Sequence, residues 1–85
     1  MPIITIYSSD HCPYCMRAKD LLTRLGASYQ EIRVDLDSAA KERMMALTGR
    51  RTVPQIYIDD LHVGGCDDLY ALERSGVLAT LLQAL

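Results

Sequence analysis

The sequence predicts an α/β fold in which a four-stranded mixed sheet is flanked by helices. Two patterns alternate along the 85 residues: short runs rich in β-branched residues, and longer stretches with apolar residues three and four positions apart. The resulting order is β-α-β-α-β-β-α, with one more short helix at the end. A strand–helix–strand unit makes its two strands parallel, whereas a tight hairpin makes them antiparallel, so the sheet must be mixed. The length fits a single domain over residues 1–85.

The first predicted strand is the β-branched run IITIY, residues 3–7. The helix after it begins near Pro13, because a first helical turn does not need the N–H that proline lacks. It ends at Gly26. Its predicted inward stripe consists of Cys15, Ala18, Leu21, Leu22 and Leu25. A second strand, YQEIRV, follows at residues 29–34.

The second half of the chain predicts another helix, a hairpin and two short helices. The helix lies in DLDSAAKERMMALTG, with Asp37 or Ser38 as its N-cap. Its expected buried residues are Ala40, Met44 and Leu47. The stretch QIYIDDLHVGG predicts two strands joined by a turn at Asp59-Asp60. A short helix then covers DDLYALERSG, and the final helix is lined by Leu78, Leu81, Leu82 and Leu85.

Composition and charge exclude several classes of function. A net charge of −2 argues against nucleic acid as the main partner. No apolar run approaches the ~18 residues that a membrane helix needs. The opening residues MPIITIY lack the basic start and long apolar region of a signal peptide. We therefore expect a cytoplasmic protein that binds neither nucleic acid nor membranes.

Two cysteines, Cys12 and Cys15, lie at the junction of the first strand and helix, the thioredoxin-like redox arrangement. A purely structural disulfide is disfavoured, because a bridge across three residues constrains the unfolded chain little. At a helix start, backbone N–H groups and the helix dipole favour a thiolate, with pKa values of ~3.5–7.5 against ~8.5 for a free cysteine. We therefore predict Cys12 as the nucleophile and the more buried Cys15 as its partner.

A zinc site is the alternative use of these cysteines. Cys12, Cys15 and Cys66 could be combined with His11 or His62 to give four ligands. A structural zinc site normally uses two close-spaced ligand pairs, and the second pair is missing here. We therefore expect no metal, and we expect both histidines on the surface.

Three motifs together resemble those of glutaredoxins of the small bacterial dithiol type. They are CPYC at residues 12–15, TVP at 52–54 and GGCDDL at 64–69. The resemblance covers essentially the whole chain, with the motifs in the family's order and spacing. It implies a monomeric enzyme with a thioredoxin-like fold that uses glutathione as co-substrate. Its implied substrates are glutathionylated and disulfide-containing proteins, with ribonucleotide reductase as one candidate.

The same resemblance implies a glutathione groove around the cysteine pair. Pro54 would be cis and face the pair, Val53 would offer its backbone to the cysteinyl unit as an added strand does, and Thr52 would flank it. The γ-glutamyl end would lie on the turn Gly65–Cys66–Asp67, where its carboxylate meets the N–H groups that open a helix. Either Asp67 or Asp68 would suit its ammonium group.

The remaining implied contacts are Arg51 on the glycine carboxylate and Tyr14 as a wall beside the sulfur. Cys66 is expected to be a bystander to the chemistry. One position departs from many relatives: Ser9 stands where they carry a lysine, which removes a cation from the groove.

Two other functions stay open at this point. One is a redoxin that thioredoxin reductase recharges, against which GGCDDL and Arg51 argue. The other is an iron–sulfur scaffold in which Cys12 and glutathione are ligands in a dimer. Relatives that hold such a cluster usually lack the rigid proline that here follows Cys12.

Overall fold

Four strands form one sheet with helices on both faces in the computed structural model, which describes residues 2–83. The elements in chain order are β1 (Ile4–Ser8), α1 (Pro13–Arg24), β2 (Gln30–Arg33), α2 (Ser38–Thr48), β3 (Gln55–Ile58), β4 (Leu61–Gly64), α3 (Cys66–Ser75) and α4 (Val77–Gln83). The predicted order of elements is confirmed. Leu85, predicted to line the last helix, lies outside the described residues.

The sheet has the strand order β2-β1-β3-β4. β1 runs parallel to β2 and antiparallel to β3, and β3 runs antiparallel to β4. The mixed sheet is therefore confirmed, as is the hairpin turn at Asp59-Asp60 between the last two strands. Within residues 2–83, no helix is long and apolar enough to cross a membrane.

The central strand β1 contributes side chains to two cores, because successive residues of a strand point to opposite faces. Ile4 and Ile6 belong to a core that includes buried residues of α1, α3 and α4. Tyr7 belongs to a second core with buried residues of α2. Helix α1 is thus packed against one face of the sheet, and it directly follows a strand that is buried on both faces.

Helix α1 begins as the sequence predicts, with Cys12 as its N-cap and Pro13 in the first helical position. Cys15, Ala18, Leu21 and Leu22 form the buried stripe. The prediction that Leu25 belongs to this stripe is wrong, since its side chain is 38% exposed. Leu25 is the C-cap and has left the helical conformation, so its side chain no longer follows the spacing of the stripe.

Helix α2 is capped by Asp37, whose carboxylate accepts the N–H groups of Ala39 and Ala40. Met44 is fully buried, but the prediction that Leu47 is buried is wrong, since it is 61% exposed. Met45 and Thr48 are half-buried, so the face of α2 that packs on the sheet is centred on their side of Met44. At 3.6 residues per turn, Leu47 lies roughly 100° around the helix from the centre of that face.

Candidate active site

The predicted cysteine pair is a disulfide at the start of α1. Cys12 and Cys15 are bonded, with their Cα atoms 5.2 Å apart. Cys12 is half-buried, whereas Cys15 has no exposed surface. The backbone N–H of Cys15 donates to the Sγ of Cys12 over 3.1 Å. A substrate can therefore reach the first sulfur but not the second.

The electrostatics of the helix start favour negative charge on Cys12. Its sulfur caps α1, where unpaired N–H groups and the positive end of the helix dipole stabilise an anion. The first turn of α1 contains no acidic residue to oppose this effect. After reduction of the disulfide, these groups favour the thiolate of Cys12, which is the reactive form of cysteine.

A proline loop lies against the reactive sulfur. The peptide bond between Val53 and Pro54 is cis, as the family resemblance predicts. The carbonyl oxygen of Val53 lies 3.8 Å from the Sγ of Cys12. The fold thus brings the TVP motif and the cysteine pair into one site.

A cleft of about 210 Å³ opens beside this loop. Its lining residues are Tyr14, Arg50, Thr52, Val53, Pro54, Gln55, Gly65, Cys66, Asp67 and Asp68. All of the predicted glutathione-binding residues except Arg51 are among them. Arg51 is exposed and lies outside the lining, and its neighbour Arg50 lines the cleft instead.

The far side of the cleft is the start of α3, where Asp68 is held in place. Its carboxylate accepts the N–H of Gly65 at 2.9 Å and lies 3.4 Å from the Arg50 guanidinium. The Gly65 N–H, and after it Arg50, lower the pKa of Asp68 below its ordinary value. Gly64 has φ +114°, and a Cβ on it would collide with the Asp68 carboxylate, so only glycine fits there.

Cys66 is a free cysteine on the wall of the cleft. It is buried, and burial raises the pKa of its thiol. The positive charge of Arg17 opposes this shift, and the negative charge of Asp67 adds to it. Cys66 is therefore a neutral thiol, a weak nucleophile, on the wall of this cleft.

Gln55 and His62 are site residues that the sequence analysis missed. Gln55 lines the cleft and is 1% exposed, and its amide nitrogen donates to the carbonyl oxygen of Thr52 at 2.9 Å. The expectation that His62 is a surface residue is wrong. It is half-buried, because its ring stacks on Tyr57 and its Nε2 lies 2.8 Å from the Gln55 oxygen. One signal was available: a glutamine opens an otherwise apolar strand directly after the TVP motif.

The sequence alternative of a zinc site is not assembled in the described part of the chain. His11 is exposed, and no group of three or more His, Cys, Asp or Glu residues within residues 2–83 could hold a metal ion.

The cysteine pair has one accessible sulfur at a helix start and one buried sulfur bonded to it. Such a pair exchanges two electrons with other thiols and disulfides. The protein is thus a thiol–disulfide oxidoreductase with a thioredoxin-like fold.

Comparison with known sequences identifies the family. The glutaredoxin family model matches residues 4–63. The chain is 52% identical over 83 residues to glutaredoxin 3 of Escherichia coli strain K12, covering 98% of this chain and 100% of that protein. It is 51% identical over 84 residues to a glutaredoxin of Pseudomonas aeruginosa, covering 99% and 100%. The chain belongs to the glutaredoxin family.

Solved structures agree with this assignment. A crystal structure of a buckwheat glutaredoxin–glutathione complex superimposes with a TM-score of 0.88 at 37% identity, covering 95% of this chain and 76% of that one. The solution structure of a glutaredoxin from Brucella melitensis gives a TM-score of 0.86 at 49% identity, covering 98% and 90%.

Proposed function

We propose that this protein reduces protein–glutathione mixed disulfides and protein disulfides with glutathione as the reductant. The observation that carries the proposal is the cleft beside Cys12, which joins the TVP loop to the opening of α3. Two features of the cleft suit an extended zwitterionic peptide: a backbone segment available for strand-like pairing, and a helix start that favours a carboxylate. The buckwheat relative crystallised as a glutaredoxin–glutathione complex supports the same ligand.

Within the cleft, each end of glutathione has a complementary group. The ammonium of the γ-glutamyl unit would pair with Asp67 or Asp68, and its carboxylate would meet the N–H groups that open α3. The cysteinyl unit would pair with the backbone of Val53, with Thr52 and Tyr14 beside it. The glycine carboxylate would extend past the edge of the cleft to Arg51.

Reduction of a glutathione mixed disulfide then needs only Cys12. Its thiolate attacks the glutathione sulfur, so that a Cys12–glutathione disulfide forms and the target protein leaves as a thiolate, which takes a proton from water. A second glutathione, as thiolate, attacks the glutathione sulfur bound to Cys12. Oxidised glutathione leaves, and the Cys12 thiolate is restored.

Reduction of a protein disulfide uses both cysteines. Cys12 attacks one substrate sulfur and forms a mixed disulfide, and the other substrate sulfur leaves as a thiolate. Cys15 loses its proton and attacks the Cys12 sulfur, which frees the substrate and forms the Cys12–Cys15 disulfide seen in the structure. Two glutathione molecules then reduce this disulfide and leave as oxidised glutathione.

Glutaredoxin potentials of ~−200 to −230 mV lie near the cytosolic glutathione poise, so we also propose a cytoplasmic location.

A coupled assay tests the proposal. The substrate is the mixed disulfide in which glutathione is bonded to 2-mercaptoethanol. NADPH oxidation by the reduced protein is followed with one of two reducing systems: glutathione with glutathione reductase, or thioredoxin reductase without glutathione. We expect turnover with the glutathione system only. Turnover with thioredoxin reductase alone would contradict the proposal. Visible absorbance and a brown colour after anaerobic purification would instead support the cluster scaffold.

A further inference from the structure

A chain of hydrogen bonds leads from His62 to the backbone beside Pro54. The ring of His62 stacks on Tyr57 with 5.0 Å between centroids, and its Nε2 lies 2.8 Å from Oε1 of Gln55. The other end of that amide, Nε2 of Gln55, donates to the carbonyl oxygen of Thr52 at 2.9 Å. The thiol chemistry described above uses none of these contacts.

The direction of each hydrogen bond in this chain is fixed. A carbonyl oxygen can only accept, so the amide nitrogen of Gln55 must face Thr52 and its oxygen must face His62. That oxygen also only accepts, so His62 must carry a proton on Nε2. Gln55 is 1% exposed, and water cannot replace a lost partner there without a rearrangement.

The chain determines how one peptide group is turned. In a trans peptide the C=O and N–H point in opposite directions. Because the Thr52 carbonyl is held towards Gln55, the N–H of the same peptide group, which belongs to Val53, points away from Gln55. Among residues 2–83, that N–H donates to no other group. The carbonyl of Val53 lies 3.8 Å from the sulfur of Cys12, so the free N–H belongs to the residue that contacts the nucleophile.

We propose that Gln55, itself held by His62, is a positioning residue that presents the Val53 N–H to a backbone carbonyl of glutathione. The inference rests on the proposed function, because it concerns how that ligand is held. Gln55 acts on a contact that is the same before and during sulfur transfer. Its loss should therefore raise KM and leave kcat nearly unchanged.

The first test replaces Gln55 by methionine, which keeps the length of the side chain and removes the amide. Affinity is measured for S-methylglutathione, which cannot react, and KM and kcat for the mixed disulfide with 2-mercaptoethanol. Loss of one positioning hydrogen bond should raise Kd and KM roughly three- to tenfold, with kcat within about twofold. Gln30→Met, on the exposed part of β2, is the matched control and should behave as wild type. An unchanged Kd in Gln55→Met overturns the inference.

The second test asks whether His62 acts through Gln55. His62→Phe keeps a ring on Tyr57 and removes the N–H donor. It should weaken S-methylglutathione binding less than Gln55→Met does. The double variant Gln55→Met/His62→Phe should bind no worse than Gln55→Met alone, because the two residues form one pathway. Additive losses overturn the role of His62. If Gln55→Met does not fold, the single variant His62→Phe still tests the inference, and unchanged binding in it overturns the inference.

Nuclear magnetic resonance gives a readout that a purely structural role would not change. In wild type, the His62 imidazole should carry its neutral-state proton on Nε2, and the Val53 amide should shift on addition of S-methylglutathione. In Gln55→Met, the Val53 shift should be lost at equal ligand occupancy. A proton on Nδ1 of His62 overturns the inferred direction of the hydrogen bonds.

The binding data also separate this inference from the proposed function. If the wild-type protein does not bind S-methylglutathione, both are overturned. If the wild-type protein binds it and Gln55→Met has the same Kd, the inference alone is overturned.

Discussion

The sulfur of Cys12 lies 3.8 Å from the carbonyl oxygen of Val53, although 41 residues separate them in the chain. An extended peptide paired with Val53 would therefore carry its own sulfur to the nucleophile. In the proposed function, binding and chemistry depend on different groups: backbone and charged side chains would hold glutathione, and sulfur atoms would exchange the electrons. Variants of the two sets of groups should accordingly affect KM and kcat separately.

Cys12→Ser should abolish reduction of both mixed disulfides and protein disulfides. Cys15 cannot take over, because its side chain has no exposed surface from which to attack a substrate. The coupled assay with glutathione reductase measures the loss. Retained binding of S-methylglutathione is the control for an intact groove. Substantial turnover by this variant would show that Cys12 is not the nucleophile.

Cys15→Ser should keep activity on glutathione mixed disulfides and lose activity on protein disulfides. Only the second route needs an internal thiol to release the substrate from Cys12. The two rates are compared in one preparation, with a glutathionylated peptide and an oxidised dithiol protein as substrates. An equal loss of both activities would contradict the two-route mechanism.

Cys66→Ser should leave kcat/KM for both substrates within about twofold of wild type, since a neutral thiol contributes little as a nucleophile. Burial raises the pKa of Cys66, so its thiolate is scarce at neutral pH. The same two assays check this, with Cys12→Ser as the inactive reference. A large loss would make Cys66 a participant in the reaction.

Arg51→Glu should raise KM for glutathionylated substrate at least about tenfold with little change in kcat. A charge-assisted contact contributes ~1.5–3 kcal/mol, and 1.4 kcal/mol corresponds to a factor of ten. Arg50→Glu is the informative comparison, because Arg50 lines the cleft but already pairs with Asp68. If Arg51→Glu matches wild type and Arg50→Glu does not, Arg51 does not bind the glycine carboxylate, and Arg50 is the cation on which binding depends.

Asp68→Asn should lower the free energy of unfolding near neutral pH by about 0.3–1 kcal/mol, the usual contribution of a charge at a helix start. The folded chain lowers the pKa of Asp68, chiefly through the Gly65 N–H. A lowered pKa gives stability that is fully present above the unfolded value of 3.8 and is lost as pH falls through the folded value.

Urea unfolding of wild type and Asp68→Asn at pH 7, 5 and 3 measures this difference. It should be equal at the two higher values and smaller at pH 3. Asp60→Asn, in the hairpin turn, is the matched control. A difference that is the same at all three values would mean that the charge of Asp68 does not contribute.

The fold could be predicted from local signals because strand runs, helix spacing and end residues all agreed. Asp37, Pro13 and Gly49 stand at helix ends as their types predict. The errors concern the burial of single side chains. Spacing alone contains no sign that α1 leaves its helical geometry at Leu25, or of which side of Met44 the sheet covers, so it predicts Leu25 and Leu47 as core residues.

The sequence predicts those parts of the site in which a residue type itself determines reactivity or backbone shape. The thiols of Cys12 and Cys15 and the proline of the TVP loop are such residues. Gln55 and His62 were missed because their role depends on pairing between β3 and β4, which brings their polar ends together. The position of Arg50 on the cleft depends likewise on its contact with Asp68, 18 residues away, which no local pattern contains.

In the proposed cycle, the residue that caps α1 is also the one whose sulfur changes in every turnover. That sulfur is in turn a free thiolate, a mixed disulfide and a partner of Cys15, and each form accepts the Cys15 N–H with a different strength. A helix start that favours the thiolate is itself made more stable by the thiolate, by the same free energy. The local stability of α1 and the oxidation state of the protein therefore cannot vary independently. Deuterium exchange at the Cys15 amide would record the oxidation state from within the backbone.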